Sequence, residues 1–208
     1  MLHLNIFLKI RKGLILFWFI LIFTGITLIF WYNEWVYSLP TPVPSDYHNV
    51  KKGDYIAIDG RIKAKKNKPV FIHFFNPACP CSKFNIPHFK SLVKQYGDKA
   101  TFAVAVMSKD NYTVEEIQDK FGLTIPVLFD KSLAVSCGVY STPQAVILDS
   151  EHKLYFRGNY NKSRYCTDKK SNYAQMAIDS LLANNPEPEF SQAALKAYGC
   201  ALPTECKQ

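Results

Sequence analysis

A segment without any charge dominates the hydrophobic pattern near the N-terminus, since every residue from Leu14 to Tyr32 is uncharged. A helix of that length matches the roughly 30 Å hydrocarbon layer of a membrane. Aromatic residues follow in "WYNEWVY", whereas a cleaved signal peptide has a shorter apolar region followed by small residues. The pattern predicts an uncleaved transmembrane anchor over residues 14–35.

The charges on either side of this anchor predict its orientation. Basic residues precede it and acidic residues follow it, at Lys9, Arg11, Lys12, Glu34 and Asp46. Because cytoplasmic segments carry the excess of lysine and arginine, residues 1–13 are expected in the cytoplasm. The rest of the chain is then extracytoplasmic, and we expect it on the periplasmic side of a bacterial inner membrane.

Beyond the anchor the pattern changes to a proline-rich stretch and then to one domain. Three prolines fall within "LPTPVP", which is typical of a semi-rigid spacer, so residues 36–51 are predicted to be a linker. The domain is expected over residues 52–185, and a cysteine-containing tail over residues 186–208. A chain of 208 residues has room for one soluble domain beside the anchor.

Apolar runs alternate with helical periodicity along the domain. The predicted strands are "DYIAIDG", "PVFIHFF", "KATFAVAVMS", "IPVLFD", "PQAVILD" and "KLYFRGNY". The predicted helices are "CSKFNIPHFKSLVKQY", "NYTVEEIQDKFG", "SLAVSCGV" and "NYAQMAIDSLLANN". The second of these helices opens with a capping pattern, Thr113 followed by Glu116, and stops at Gly122. Strands that alternate with helices indicate an α/β sheet.

Composition and charge exclude some classes of function. Hydrophobic residues make up 48% of the chain and charged residues 20%, a globular profile rather than a disordered one. The formal net charge is +8, yet an extracytoplasmic domain rarely meets nucleic acid, so no nucleic-acid partner is expected. The densest basic run, "RIKAKKNKP", is typical of a solvated loop.

Cysteines are the candidate reactive residues, and all six follow the anchor: Cys79, Cys81, Cys137, Cys166, Cys200 and Cys206. Cys79 and Cys81 lie in "FNPACPCSKFN", after a buried strand and at the start of a helix. There, backbone N–H groups and the helix dipole stabilise a thiolate. Cys79 is therefore the predicted attacking thiol, and Cys81 is placed to attack the mixed disulfide that Cys79 forms.

Four motifs, in this order, resemble the thioredoxin-like fold: "VFIHFFNPACPCSKFNIP", "IPVLFD", "YSTPQAVILD" and "KLYFRG". The resemblance is to the membrane-anchored, extracytoplasmic thiol-disulfide oxidoreductases of the TlpA and ResA type. "CPCSKFN" with the later "GNYNKSRYC" also resembles an uncharacterised membrane-tethered branch of that superfamily. The resemblance implies a mixed sheet flanked by helices and no cofactor. Its implied partners are a protein disulfide substrate and a membrane or extracytoplasmic electron donor.

The resemblance also implies roles for three further residues. "STPQ" matches the family's cis-proline motif, so the backbone of Thr142 is expected to pair with the substrate chain while Pro143 shields the sulfurs. The alternative is an ordinary trans proline that opens a strand. His73 matches the position of a buried acid in many thioredoxins, where an imidazole could accept a proton. The alternative there is a core histidine hydrogen-bonded to backbone.

The spacing of the two cysteines departs from the Cys-x-x-Cys pattern of that family. An alignment on the strand leaves Cys79 as nucleophile with one residue deleted before Cys81, whereas an alignment on Pro87 puts Ser82 in the resolving position. Cys81 could therefore resolve, form a strained and oxidising disulfide with Cys79, or leave a mainly monothiol enzyme. His88, one residue past Pro87, is expected on the helix surface.

The remaining cysteines carry weaker predictions. Cys137 is expected to be a buried small hydrophobe, with a resolving role as the alternative. Cys166 follows the last predicted strand, and Cys200 and Cys206 lie in the tail. A structural disulfide from Cys166 to Cys200 or Cys206, tying the tail to the domain, is predicted.

Two other functions fit the cysteine pair. The soft thiolates of Cys79 and Cys81, with His73 or His88, would suit Cu(I). A redox-inactive scaffold that uses the fold for protein contact is the other alternative. The leading interpretation is an enzyme that reduces or isomerises disulfides of exported proteins.

The predicted orientation can be tested with a reporter enzyme fused after Gln208. We expect activity from a reporter that works only in the exported compartment, because the basic flank keeps the N-terminus inside. Activity from a cytoplasm-dependent reporter at the same position would contradict this orientation and, with it, an extracytoplasmic electron supply.

Overall fold

The computed structural model describes residues 2–186 and 188–202. The chain forms two units, Met1–Leu39 and Pro40–Gln208. The first contains helix α1, Leu2–Ser38. Over Lys9–Trp35 this helix is long and apolar enough to cross a membrane, and the structure buries none of the side chains there. It therefore fits the predicted single-pass anchor.

The second unit is built on a five-stranded mixed sheet. Its strands are β1 Val70–Phe75, β2 Thr101–Val106, β3 Val127–Leu128, β5 Gln144–Leu148 and β6 Leu154–Gly158. Their order is β3-β2-β1-β5-β6. The first three are parallel, and β5 is antiparallel to both β1 and β6. A separate two-stranded ladder joins β4, Ser141–Thr142, to β7, Cys200–Ala201.

Helices cover both faces of the sheet. They are α2 Pro80–Tyr96, α3 Val114–Phe121, α4 Lys131–Ser136, α5 Tyr173–Leu182 and α6 Gln192–Leu195, with a 3-10 turn at Lys169–Ser171. Every residue of β1 is buried. Because successive side chains of a strand alternate between faces, Phe71 and Phe75 pack with α2 and α5, whereas Ile72 and Phe74 pack with α4. The predicted α/β sheet is confirmed.

The structure departs from the predicted elements at both ends of the domain. "DYIAIDG" is not a strand, because only Tyr55 forms an isolated bridge, to Lys153. Apolar and polar residues alternate in this stretch because the side chains of Ile56 and Ile58 are buried, although the backbone there is irregular. The C-terminal segment holds α6 and β7, which no periodic pattern predicted because both are very short.

Side-chain amide bonds attach this C-terminal segment to the sheet. Asn159, directly after β6, donates from Nδ2 to the carbonyl oxygens of Ala193 at 2.8 Å and Lys196 at 2.6 Å. Thr41, in the predicted linker, donates its backbone N–H to Ala197 at 2.9 Å. The C-terminal segment is thus held up to residue 197 by two distant parts of the chain.

The predicted cap of α3 is confirmed. The Thr113 side chain accepts a hydrogen bond from the Glu116 N–H at 3.1 Å, and the Glu116 carboxylate accepts one from the Thr113 N–H at 2.8 Å. Gly122 ends the helix in the left-handed conformation, with φ 59°. The sequence therefore predicted both ends of α3 correctly.

Replacing the cap should measurably destabilise the domain. Thr113→Ala removes the acceptor for the Glu116 N–H, so we expect the free energy of unfolding to fall by about 1 kcal/mol. Thr124→Ala is the control, because Thr124 is an exposed residue in the loop before β3. Urea unfolding followed by circular dichroism measures both; equal losses would contradict the role of the cap.

Candidate functional site

Cys79 sits where the sequence placed it, between the central strand and the longest helix of the domain. After β1 the chain turns at Asn76, whose Oδ1 accepts from the Ala78 N–H at 2.9 Å and whose carbonyl accepts from the Cys79 N–H at 3.0 Å. Cys79 is the N-cap of α2 in an extended conformation, and Pro80 is the first helical residue. Its sulfur therefore lies at the positive end of the helix dipole.

Cys79 is bonded to Cys200 in the structure. The S–S distance is 2.11 Å and the Cα–Cα distance is 6.3 Å, across a sequence separation of 121 residues. Cys200 belongs to β7 and lies opposite Thr142 of β4, while Ala201 lies opposite Ser141. The Thr142 carbonyl oxygen is 3.8 Å from the Cys79 sulfur. The site is thus formed by the start of α2, β4 and β7.

The structure corrects the predicted disulfide of Cys166. Cys200 pairs with Cys79 instead, because the β4–β7 ladder carries it to the start of α2. Cys166 is a thiol, and its sulfur accepts a hydrogen bond from Asn85 Nδ2 at 3.1 Å. Cys206 lies outside the residues that the structure describes. Sequence order alone could not show that a tail cysteine reaches the predicted nucleophile.

The peptide bond between Thr142 and Pro143 is cis. Thr142 is fully buried, and its Oγ1 has no hydrogen-bond partner within the described part of the chain. Its neighbour Ser141 shares a 2.9 Å hydrogen bond with Thr41 through the two hydroxyl groups. The predicted motif therefore lies directly beside the Cys79–Cys200 disulfide.

Cys81 and Ser82, the two candidates for the resolving position, are both buried in the first turn of α2. Cys81 is a thiol. Burial raises the pKa of Cys166 to about 11, the hydrogen bond from Asn85 opposes this, and the charge of Cys81 raises it further. Cys81 thus interacts with Cys166. The Ser82 hydroxyl accepts from the Asn76 N–H at 3.2 Å, which stabilises the turn before Cys79.

His73 lies on β1 and is fully buried. Its Nδ1 is 2.7 Å from the Tyr160 hydroxyl, and its ring stacks on Phe89 at 4.4 Å between centroids. Nε2 is buried with no hydrogen-bond partner among the described residues. Burial lowers the pKa of His73 to about 3, so the imidazole is neutral. Its partner is the Tyr160 side chain, not the backbone that the alternative interpretation proposed.

Tyr160 is the residue of this site that the sequence analysis missed. It follows β6, is fully buried, and contacts both histidines of the region, His73 at 5.2 Å and His88 at 6.0 Å between ring centroids. Nothing in "KLYFRGNY" distinguishes this tyrosine from an ordinary strand residue. Only the folded sheet brings it beside β1.

The expected surface position of His88 is wrong. His88 is half-buried, Nε2 lacks a hydrogen-bond partner among the described residues, and burial lowers its pKa. It lies three residues after Asn85 and four before Leu92, both on the buried face of α2. Helical spacing therefore places it at the edge of that face.

Cys137 is fully buried at the end of α4, as predicted. Its carbonyl oxygen accepts from Arg157 Nη1 at 3.1 Å. Burial raises the pKa of the thiol to about 12, against smaller opposing effects of Arg157 and Arg61. A thiol that stays protonated and buried is unreactive.

Comparisons with known proteins identify one family and several relatives. A family described as "Domain of unknown function (DUF6436)" matches residues 52–203. Thiol-disulfide oxidoreductase ResA of Halalkalibacterium halodurans is 28% identical over 96 residues, which are 45% of this chain and 54% of that protein. ResA of Bacillus anthracis is 28% identical over 97 residues, 45% of this chain and 56% of that protein. The chain thus matches about half the length of these curated relatives.

Two solved structures resemble most of the chain. An uncharacterised conserved protein of Geobacillus kaustophilus has a TM-score of 0.60 at 20% identity, covering 81% of this chain and 100% of that one. A hypothetical protein of Sinorhizobium meliloti 1021 has a TM-score of 0.58 at 16% identity, covering 75% and 96%. These two structures share the fold of the chain, and the ResA relatives together with the sheet order identify that fold as thioredoxin-like.

The buried histidine should make stability depend on pH. The unfolded chain binds a proton at His73 below pH 6.5, whereas the folded chain binds it only near pH 3, so stability falls as pH falls through this window. We expect the unfolding free energy to fall by up to about 1.4 kcal/mol per pH unit more than in His73→Gln. Urea unfolding at several pH values measures this.

The matched control for this measurement is His48→Gln, because His48 is exposed. We expect this variant to keep the slope of the wild-type protein. A slope that is the same in the wild-type protein and in His73→Gln would show that His73 does not titrate in this way.

Proposed function

We propose that this chain, which belongs to the family described as "Domain of unknown function (DUF6436)", is a membrane-anchored thiol-disulfide oxidoreductase. Its substrates are disulfides of exported proteins. The observation that carries the proposal is the disulfide of Cys79, formed at the N-terminus of α2 with a cysteine of a separate strand. The relatives named thiol-disulfide oxidoreductase ResA support the same reaction class.

The attacking group is the thiolate of Cys79. The dipole of the 17-residue helix α2 favours negative charge at its N-terminus, where the Cys79 sulfur lies. The thiolate attacks one sulfur of a substrate disulfide, forms a mixed disulfide and releases the other substrate sulfur as a thiolate. A second thiol of the enzyme then attacks the mixed disulfide, and the sequence predicts Cys81 for this step.

Thr142 and Pro143 complete the proposed site. The Thr142 carbonyl is 3.8 Å from the Cys79 sulfur, and its strand already holds a peptide partner in β7. An extended substrate segment could pair with the same strand, with Pro143 beside the sulfurs. This assignment of roles follows the resemblance to thioredoxin-like proteins.

His73 stays a predicted proton acceptor. Its imidazole is neutral, and Nε2 has no hydrogen-bond partner among the described residues. In the tautomer whose Nδ1–H donates to the Tyr160 hydroxyl, Nε2 keeps a lone pair that can accept a proton. The same burial that lowers the pKa of His73 to about 3 makes the protonated form unstable. In the proposed role, His73 would therefore hold a proton only briefly and would not stay protonated.

Electrons for repeated turnover must come from outside the protein. The apolar helix over Lys9–Trp35 fits a membrane anchor, and the basic residues before it favour an extracytoplasmic domain. Thiols on that side of a membrane are oxidised unless a donor reduces them. We therefore propose a membrane or extracytoplasmic dithiol donor as the redox partner.

Cu(I) binding by Cys79 and Cys81 stays an alternative from the sequence. In the disulfide, Cys79 has no thiolate to offer a metal ion. The pairing of Cys79 with Cys200, and not with Cys81, therefore favours thiol-disulfide exchange over a metal site made of Cys79 and Cys81.

The proposed nucleophile can be tested with the detergent-solubilised full chain and a fluorescent disulfide-linked peptide, with dithiothreitol as electron source. Cys79→Ser should lower the catalysed rate to that of dithiothreitol alone, because serine cannot form the mixed disulfide. Cys137→Ala is the matched control, since Cys137 is buried, and we expect it to retain the wild-type rate. Turnover that survives in Cys79→Ser would contradict the proposal.

A further inference from the structure

We propose that Cys200, not Cys81, is the thiol that resolves the mixed disulfide on Cys79. In this proposal the segment around β7 is a built-in strand that leaves β4 for a substrate and returns to end each reaction. The inference rests on the proposed function, because it assigns a residue to the second step of that reaction. It gives Cys200 the role that the sequence predicted for Cys81.

The backbone brings Cys200 to Cys79 without distortion. Cys200 lies opposite Thr142 in the antiparallel β4–β7 ladder, and the Leu202 N–H donates to the Tyr140 carbonyl at 3.2 Å. The Cα atoms of Cys79 and Cys200 are 6.3 Å apart, within the range of natural disulfides. A short strand thus brings the second thiol to the first.

Cys81 is placed less well for the same step. It is the second residue of α2 and is buried in the first turn, whereas the sulfur of the N-cap residue Cys79 is directed to Cys200. Cys81 and Asn85 are four residues apart on α2 and therefore lie on one face of it, and Asn85 Nδ2 donates to the Cys166 sulfur at 3.1 Å. Cys81 is thus on the side of the loop after β6, whereas Cys200 approaches from β4.

Gly199 is required for this approach. Its φ is +135°, a conformation that side chains disfavour, and a Cβ there would lie 2.3 Å from the Thr142 carbonyl oxygen. The Gly199 carbonyl also accepts from the Thr41 hydroxyl at 3.2 Å. The glycine directly before Cys200 thus permits the backbones of β7 and β4 to pack closely.

The segment before β7 and β7 itself are held by different contacts. Ala194 and Ala197 are buried, and Asn159 binds the carbonyl groups beside them. Among the described residues after Ala197, β7 pairs with β4 through a two-residue ladder, extended by the Leu202–Tyr140 hydrogen bond and by the Ser141 hydroxyl, which donates to the Cys200 carbonyl at 3.3 Å, and Cys200 is partly exposed. Reduction of the disulfide removes the covalent bond between this short ladder and α2, so β7 can leave β4 while the Asn159 contacts keep Cys200 near the site.

Departure of the strand is also needed for substrate access. Cys79 is only 2% exposed while Cys200 is bonded to it. A protein disulfide could not reach a sulfur that is covered in this way. In the oxidised protein a substrate therefore cannot reach Cys79. In the reduced protein β7 can move away from β4 and expose the Cys79 sulfur.

The proposed step conserves atoms and electrons. The Cys79 thiolate attacks a disulfide R–S–S–R′, giving Cys79–S–S–R and the thiolate of R′. The Cys200 thiolate then attacks the Cys79 sulfur, the bond to R breaks, and R leaves as a thiolate. The substrate is reduced by two electrons, and the enzyme is oxidised to the Cys79–Cys200 disulfide. An external dithiol reduces this disulfide for the next reaction.

The test uses the reduced full chain in detergent and one equivalent of 5,5′-dithiobis(2-nitrobenzoate), a disulfide that releases a coloured thiolate. In the wild-type protein both coloured thiolates should be released, and peptide mapping should show Cys79 bonded to Cys200. Cys200→Ser should release one and keep the adduct on Cys79. Cys81→Ser should behave like the wild-type protein.

The outcomes separate this inference from the proposed function. An adduct that persists on Cys79 in Cys81→Ser would overturn the role of Cys200. The same conclusion would follow if Cys200→Ser released both coloured thiolates and formed a disulfide between Cys79 and Cys81. In either case the attack by Cys79 would stand. If Cys79 acquires no adduct in any variant, the proposed function itself is wrong.

A second variant keeps every thiol and disturbs only the strand. Gly199→Ala should slow release of the second coloured thiolate without slowing the first, because its Cβ would collide with the Thr142 carbonyl. Gly53→Ala is the control, since Gly53 also has positive φ but nothing lies near its added Cβ. Equal rates of second release in the two variants would contradict delivery of Cys200 by β7.

Discussion

The pairing of β7 with β4 is the interaction on which the candidate site depends. It brings a cysteine from the C-terminal segment to the start of α2, across 121 residues of sequence. The buried strand β1 and helix α2 position Cys79 from one side, and β4 positions its partner from the other. Without this short ladder, Cys79 would be a helix N-terminal thiol with no partner strand.

The parts of the site that are continuous in sequence could be predicted. A mostly apolar strand followed directly by a helical pattern led to Cys79, and the capping pattern of α3 led to Thr113. Both signals are local, because they arise from burial and from the hydrogen-bonding needs of a helix end. The apolar runs and helical periodicities also predicted the strands of the central sheet and the helices that cover it.

The parts that depend on tertiary contact could not be predicted. β7 has two residues and no periodicity, so its place follows from Gly199 and from the Asn159 side chain that holds the preceding segment. Tyr160 pairs with His73 only because the sheet order places β6, which Tyr160 follows, one strand away from β1, with both side chains on one face of the sheet. The disulfide predicted between Cys166 and Cys200 was wrong for the same reason, because the spacing of cysteines along the chain does not reveal which strand the C-terminal segment pairs with.

Disulfide mapping of the protein from native membranes tests the central claim most directly. Thiols would be alkylated before lysis, without reductant, and the disulfide-linked peptides identified by mass spectrometry. The account predicts that oxidised molecules contain a peptide pair joining Cys79 to Cys200, with Cys81 alkylated. A disulfide between Cys79 and Cys81, with Cys200 alkylated or bonded to Cys166, would contradict it.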